Sequence, residues 1–454
     1  MGDTLSVSDA VRFTPAFITA TLIFVLAYVL IVSERIHKTI IALTGAAIMI
    51  GLGIITQEEA FNSIEFGVDW NVIFLLFAMM VIINIMRPTG VFEYIAIKSA
   101  KLARGRPFRI MAIFSIVTAV LSAFLDNVTT VLLIAPVTLL ICQALEIDAV
   151  PYLITEAVAS NIGGTATLIG DPPNIMIASK ADLTFIDFIF NLSPVVIVIL
   201  AVYILTLWLV FGKRLSVREE LRLRVMAMDE NEAIRDKRLL IKSLVVIILT
   251  MTGFVFHGML HMEPATIALS GAALLLLISG TENPHKLFAE VEWSTLFFFI
   301  GLFIIIGAIV KVGLIKWLSV KLLMLTQGNL FGTSMAVLWF SAFASAFVDN
   351  IPYVATMNPL IINMAKQLWP DLTGTALLHN PGLMPVWWSL ALGACLGGNG
   401  TAIGASANVI VVGIAEKMGR PISFARFMLY GMPLMIESVI ISMLYIWLRY
   451  YVFQ

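Results

Sequence analysis

Charge is what this chain has least of: its 28 Lys and Arg and 29 Asp and Glu make up 13% of 454 residues, against 60% hydrophobic residues. So few charges cannot cover the surface of a water-soluble protein of this length. The net charge of −1 offers no basic surface to nucleic acid, which is excluded as a partner. Cysteine is almost absent. Cys142 and Cys395 sit in apolar text without a CxxC spacing, so a disulfide framework and a thiolate metal site are both excluded, and the pair read as small packing residues. No GxSxG, Walker A or dinucleotide fingerprint occurs, which argues against hydrolase chemistry, ATP-driven work within this chain and any cofactor. His257 and His261 stand one helical turn apart, but without an HExxH context they read as interfacial residues rather than metal ligands. The N-terminus is acidic before its first apolar run, so no cleaved signal peptide is expected, and the fit of Met1, Gly2 and Ser6 to a myristoylation pattern reads as chance.

What the chain does have is long apolar runs. A helix needs ~20 predominantly apolar residues to cross a bilayer. Stretches of this kind recur at 17–32, 40–55, 70–85, 193–211, 240–255 and 428–448. The reading is an all-α polytopic membrane protein with about ten crossings and two re-entrant hairpins, multi-pass in the plasma (inner) membrane. Lys and Arg collect on the cytoplasmic side. The longest polar interval, 212–242, carries nine Lys or Arg against six Asp or Glu and is expected to be a cytoplasmic linker, whereas 56–69 has four acids and no base. Threading the helices on that basis puts both termini outside, with Lys311, Lys316 and Lys321 on the outer side against the rule.

The chain repeats itself once. Ile41-Ala-Leu-Thr-Gly-Ala-Ala47 returns as Ile267-Ala-Leu-Ser-Gly-Ala-Ala273, and Val68-Asp-Trp70 as Val291-Glu-Trp293. Ser122-Ala-Phe-Leu-Asp-Asn127 returns as Ser345-Ala-Phe-Val-Asp-Asn350, and the Gly163–Asn174 segment as Gly397–Asn408, all in the same order at offsets of 223 to 234. The expected division is therefore a first repeat over 1–211, the linker 212–242 and a second repeat over 243–454. By the threading, the second repeat is inverted relative to the first, the plan of many secondary transporters.

Backbone polar groups inside a bilayer must be satisfied, so Gly, Pro, Asn and Asp within apolar runs are tolerated where protein or a water-filled cavity surrounds them. Gly163–Asn174 and Gly397–Asn408 predict broken helices near 151–180 and 385–418, with half-helix ends open to ions. Close helix packing is the alternative reason for their glycines. Asp126-Asn127 and Asp349-Asn350 predict the tips of hairpins near 108–143 and 331–366, where N-capping and ion binding can coexist. A carboxylate at mid-bilayer costs ~2.5–3.5 kcal/mol on insertion scales, which makes intramembrane acids functional candidates. Asp171 stands apart because its counterpart is Ala405. Asp126, Asp171 and Asp349 are thus the expected sites for a proton or a transported cation, with no other metal.

These motifs resemble the ion transporter superfamily, and most closely the branch that holds the arsenite permeases, the NhaD sodium/proton antiporters and the melanosomal P protein. The resemblance covers almost the whole chain, weakest in the linker and at the N-terminus. It implies a homodimer of elevator-type protomers, each with a scaffold and a mobile transport domain. It also implies that hairpin tips and helix breaks form the site: Asn127, Thr129, Gly164, Thr165, Thr167, Asp171 and Asn174 from the first half, with Asn350, Asn399, Thr401, Ser406 and Asn408 from the second. The di- and tricarboxylate carriers of the superfamily have Ser-Asn-Thr at the hairpin tips, where this chain has Asp126-Asn127-Val128 and Asp349-Asn350-Ile351. Fixed carboxylates repel a di-anion, so citrate and succinate are not expected.

The resulting expectation is a secondary transporter, coupled to H+ or Na+, that moves arsenite or a small inorganic ion. Sodium/proton antiport is the alternative within the branch, and association with an ATPase subunit is compatible with the sequence. An intramembrane aspartyl protease would also carry two Asp residues in apolar helices. The duplicated glycine-broken segments have no role in proteolysis, and no GxGD pattern is present. A passive channel is a further alternative, distinguished by a much higher flux.

Overall fold

The computed structural model describes residues 13–33, 35–212, 215, 217–280 and 284–453. Met1, Gly2 and Ser6 of the myristoylation pattern lie outside the described residues, as do Lys213 and Arg214 of the linker. All regular structure among the described residues is helical. Nine of these helices are long and apolar enough to cross a membrane, among them Pro107–Phe124, Asn127–Ala144 and Leu330–Phe347, while Lys38–Gly51 and Pro264–Ser279 are apolar but shorter. The expectation of ten crossings plus two hairpins divides the helices differently: Pro107–Phe124 and Asn127–Ala144, of 18 residues each, reach ~27 Å at 1.5 Å per residue and are themselves long enough to span.

Matching elements occur in both halves. A helical hairpin, Pro107–Phe124 with Asn127–Ala144, is followed by a helix that stops at Gly164 and resumes at Pro172. In the second half Leu330–Phe347 and Asn350–Leu368 precede a helix that stops at Gly397 and resumes at Ser406. The four most extensive interfaces form two reciprocal pairs: Pro107–Phe124 on Val150–Gly164 and Leu330–Phe347 on Met384–Gly397; then Pro264–Ser279 on Trp70–Met86 and Trp293–Lys311 on Lys38–Gly51. The last pair crosses between halves, so four helices exchange partners about a shared centre. In the interval 212–242 lie a short helix, Glu219–Met226, and the start of the long helix Lys237–Leu260.

Ion pairs sort the helix ends into two groups. Lys101–Glu230, Arg224–Glu146 and the Asp148 pairs with Arg420 and Arg426 gather the first hairpin's base, the linker and the end of the second broken helix. At the opposite ends, Lys311 bonds Glu59 at 2.6 Å, Lys366 lies 3.6 Å from Glu65 and Lys180 lies 3.6 Å from Asp69. The acidic stretch 56–69 thus supplies partners for lysines of other segments.

Glu59 also closes a capping box with Thr56. Its carboxyl is drawn down to about 2, first by the Lys311 ammonium and then by the Thr56 amide and hydroxyl. A depressed folded value adds stability above the unfolded value of about 4.3 and loses it as pH falls through the folded one. The difference in melting temperature between wild type and Glu59→Gln is therefore expected to hold steady above about pH 5 and to close from about pH 4.5 down to 2. A pH-independent difference would contradict this assignment.

Candidate functional site

The two helix breaks are built by the same bonds, made twice. Ser122 Oγ donates to Ser160 O at 2.7 Å, and Ser345 Oγ to Ala394 O at 2.6 Å. Thr167 Oγ1 donates to Ala123 O, and Thr401 Oγ1 to Ala346 O. Each hairpin arm is thereby tied to the break beside it. Inside each break an asparagine amide satisfies the carbonyls that the missing turn leaves free: Asn174 Nδ2 lies 2.9 Å from Thr167 O and 3.4 Å from Gly164 O, and Asn408 Nδ2 lies 2.8 Å from Thr401 O and 2.7 Å from Gly398 O. Thr165 Oγ1 donates to Asn161 O at 2.7 Å.

The glycines have a packing reason as well. A Cβ at Gly163 would meet Ala119 O at 2.0 Å, and one at Gly397 would meet Ala342 O at 2.5 Å. Both obstacles are backbone, which cannot swing aside. Close helix packing, the alternative raised from sequence, thus accounts for these two positions, and the break that follows each is separate from it. Gly163→Ala is expected to cost about 1–3 kcal/mol. Gly413→Ala, which meets nothing within 4 Å, is expected to be neutral or to gain about 0.5–1 kcal/mol. Melting curves in detergent compare the two, and a harmless Gly163→Ala would contradict the contact.

The halves are joined at the centre by asparagines. Asn161 Nδ2 donates to Asn399 Oδ1 at 2.9 Å and to Asn408 Oδ1 at 3.1 Å, while its Oδ1 accepts from Asn127 Nδ2 at 3.2 Å. Cys395 stands where the second repeat matches Asn161, and its Sγ donates to Asn174 Oδ1 at 3.4 Å. It therefore bonds the first broken helix from the second rather than being only a small packing residue. Cys142 is buried.

Beside the network opens a cavity of about 340 Å³. Asp126, Asn127, Asp171, Asp349, Asn350 and Ser406 line it. Four helix N-termini meet there, at Asn127, Pro172, Asn350 and Ser406, with Asp126, Asp171, Asp349 and Ala405 in the N-cap positions. The partial positive charge of each N-terminus offsets part of the acidic charge. Asp126 accepts from the Thr129 amide at 2.8 Å and from its hydroxyl at 2.5 Å. Asp349 accepts from the Ile351 amide at 3.1 Å. Asp171 makes no capping bond, and its oxygens accept from Asn350 Nδ2 at 3.4 and 3.2 Å.

Of the residues singled out from sequence, Thr129, Gly164, Thr165, Thr167, Asn174, Asn399, Thr401 and Asn408 do not line the cavity. Thr129 holds Asp126, and the others belong to the two breaks and the network between them. Asn399 keeps one free donor: its buried Nδ2 has no protein partner.

Four residues escaped the sequence reading. Lys38 Nζ lies 2.6 Å from Asp349 Oδ2 and 3.2 Å from Ser406 Oγ, although in sequence it is only the charged first residue of an otherwise apolar helix. Glu292 lines the cavity beside Thr295, which bonds it at 3.1 Å, and it is the acid of the repeated Val-Glu-Trp. Asn161 is a lone asparagine two residues before Gly163. Tyr28 bonds Pro352 O at 2.6 Å and Thr356 Oγ1 at 2.7 Å, a contact that no local pattern announces. His257 has a buried Nε2 without a partner, while His261 is exposed and ends its helix in the left-handed region. No group of three His, Cys, Asp or Glu among the described residues could hold a metal ion.

A second cavity, of about 840 Å³, touches the other ends of the helices that border the first. It meets Phe303 to Val310 of the helix that begins beside Glu292, and Ala355 to Lys366 of the helix that begins at Asn350. The two cavities lie toward opposite ends of the helix bundle.

Long apolar helices, two matching broken helices and a polar site between them define a multi-pass integral membrane transporter. The chain belongs to the citrate transporter family (CitMHS), whose model matches residues 28–393, within the ion transporter superfamily. An uncharacterized transporter of Mycobacterium tuberculosis is 49% identical over 96% of this chain and 99% of its own length. The 46 kDa membrane protein of Mycobacterium leprae is 47% identical over the same shares. The mouse P protein is 34% identical over 92% of this chain, which spans 58% of that relative. Among solved structures, MtrF of Neisseria gonorrhoeae is similar at a TM-score of 0.48 and 12% identity, over 98% of this chain and 97% of that one. The sequence expectation that disfavours citrate thus stands beside a family model described as a citrate transporter.

Proposed function

We propose that the chain is an ion-coupled secondary transporter in which H+ or Na+ binds among Asp126, Asp171 and Asp349. One observation carries this reading: four carboxyl side chains, these three and Glu292, share a cavity with a single lysine, Lys38, that is already paired. Such a cavity attracts monovalent cations and repels anions of high charge. The transported solute is then a small inorganic ion or arsenite, taken as the neutral hydroxide. Sodium/proton antiport is the second reading, favoured by the same excess of carboxylates.

The bonds repeated in both breaks support inverted repeats. So do the ion pairs, since the first hairpin's base lies with the linker and the second hairpin's Lys366 with the acidic stretch 56–69. Alternating access would follow from the hairpins and broken helices moving as one body against the four exchanging helices. The two oppositely placed cavities suit that motion, and Ile36, His37 and Lys38 line the acidic one. A homodimer in the plasma membrane completes the proposal.

The test uses protein in proteoliposomes with an internal pH dye, pulsed with sodium, lithium, arsenite and citrate in turn. Proton movement driven by sodium or lithium supports antiport. Arsenite flux that dissipates a pH gradient supports the first reading. Citrate flux, or flux at channel rates without any gradient coupling, would overturn both.

A further inference from the structure

The acid at the second hairpin tip differs from its repeat-mate in what neutralises it. Asp126 is bonded by Thr129, whose counterpart is Pro352, a residue with no donor. Asp349 is bonded instead by Lys38, which comes from a different part of the molecule. Lys38 opens the helix Lys38–Gly51, one of the four helices that exchange partners, and its ammonium sits 5.0 Å over the ring of Phe298 on the neighbouring helix Trp293–Lys311. Its base is therefore held on one body while its charge reaches to the other. The same reach carries it to Ser406 at the second helix break. Tyr28, on the preceding helix, makes a further contact with the hairpin arm behind Asp349.

We infer that the Lys38 ammonium is a tethered cation occupying a monovalent-cation position formed by Asp349 and Ser406, and that a free cation must displace it before the second hairpin can move. An ammonium and a sodium ion carry the same charge and are satisfied by the same oxygens, a carboxylate and a hydroxyl, which accept from the ammonium N–H groups and would coordinate the sodium. With no cation bound, the bridge fastens the hairpin tip to the scaffold, so the empty carrier stays put. Once a cation neutralises Asp349, Lys38 has no reason to stay, and its neighbours Asp126, Asp171 and Glu292 along the cavity, with His37 beside it, offer the ammonium other partners. Coupling thus arises from competition between a fixed and a mobile cation for one carboxylate. This rests on the cation-coupled reading above and names the step that enforces it.

The experiment measures sodium binding apart from transport, as the rise in melting temperature of the purified protein with sodium concentration, and movement as the cation-free exchange of solute in proteoliposomes. Lys38→Met keeps most of the apolar stem without the charge, and Lys38→Gln supplies a second neutral side chain should the first fold poorly. Both are expected to lower the half-saturating sodium concentration about tenfold, the order of one charge-assisted hydrogen bond no longer competing, and to raise cation-free exchange. Lys38→Arg is expected to restore the wild-type behaviour of both. Unchanged half-saturation and unchanged cation-free exchange in the neutral variants, with a normal sodium response in wild type, would overturn the inference and leave the transporter reading intact. A wild type that responds to neither sodium nor protons in binding or flux overturns that reading, and this inference with it.

Discussion

Asp171→Asn is expected to weaken the dependence of transport on H+ or Na+ by ~10- to 150-fold, the equivalent of one charge-assisted interaction of about 1.5–3 kcal/mol. The substitution is nearly isosteric and keeps a carbonyl for Asn350 Nδ2 to meet, so the two halves stay joined. What disappears is the ionisable carboxyl of a residue only 1% exposed, at a helix N-terminus, with no acidic counterpart in the second repeat. The measurement is the half-saturating cation concentration for flux, read together with the melting temperature. A folded variant with unaltered cation dependence would remove Asp171 from the coupling machinery. Asp349→Asn tests a different part, because there Lys38 is left without its partner.

The largest loss of stability is expected from Asn161→Ala. That change leaves Asn127 Nδ2, Asn399 Oδ1 and Asn408 Oδ1 without their partner at once, in a region where all four asparagines are buried. An unsatisfied buried group costs about 1–3 kcal/mol, so three together imply a loss of several kcal/mol. Cys395→Ala, at the matching position of the other repeat, removes a single thiol bond of 3.4 Å, and a thiol is a weak donor. Its effect is expected to be within about 1.5 kcal/mol. Melting temperatures in detergent decide the matter, and equal shifts for the two variants would show that the asparagine network does not carry the junction.

Much of the fold could be read from residue types alone. Long apolar runs such as Ser193–Phe211 declare a membrane helix because the bilayer imposes its thickness on every span. The Gly-Gly starts of the two breaks and Asp171-Pro172-Pro173 announce a helix that stops and resumes, because glycine lowers helix propensity and proline tolerates only a first turn. The sites of Asp126, Asp171 and Asp349 stood out for the same local reason, as acids within apolar text. Which acids share one cavity was not legible there. Thr165 and Thr167 look like ligands when written beside a break, yet their hydroxyls are spent on backbone carbonyls. Lys38 looks like a loop charge, yet it lies 311 residues in sequence from the carboxylate it neutralises.

By itself, the sequence determined that this is a helical membrane protein with a duplicated core and two broken helices, because hydrophobic length, repetition and backbone chemistry are local properties. Only the tertiary structure decided that Asn161 joins the halves, that Lys38 pairs with Asp349 and that Glu292 joins the three aspartates. Those are distance-dependent electrostatic and hydrogen-bonding choices, effective over a few ångströms, and no spacing along the chain records them.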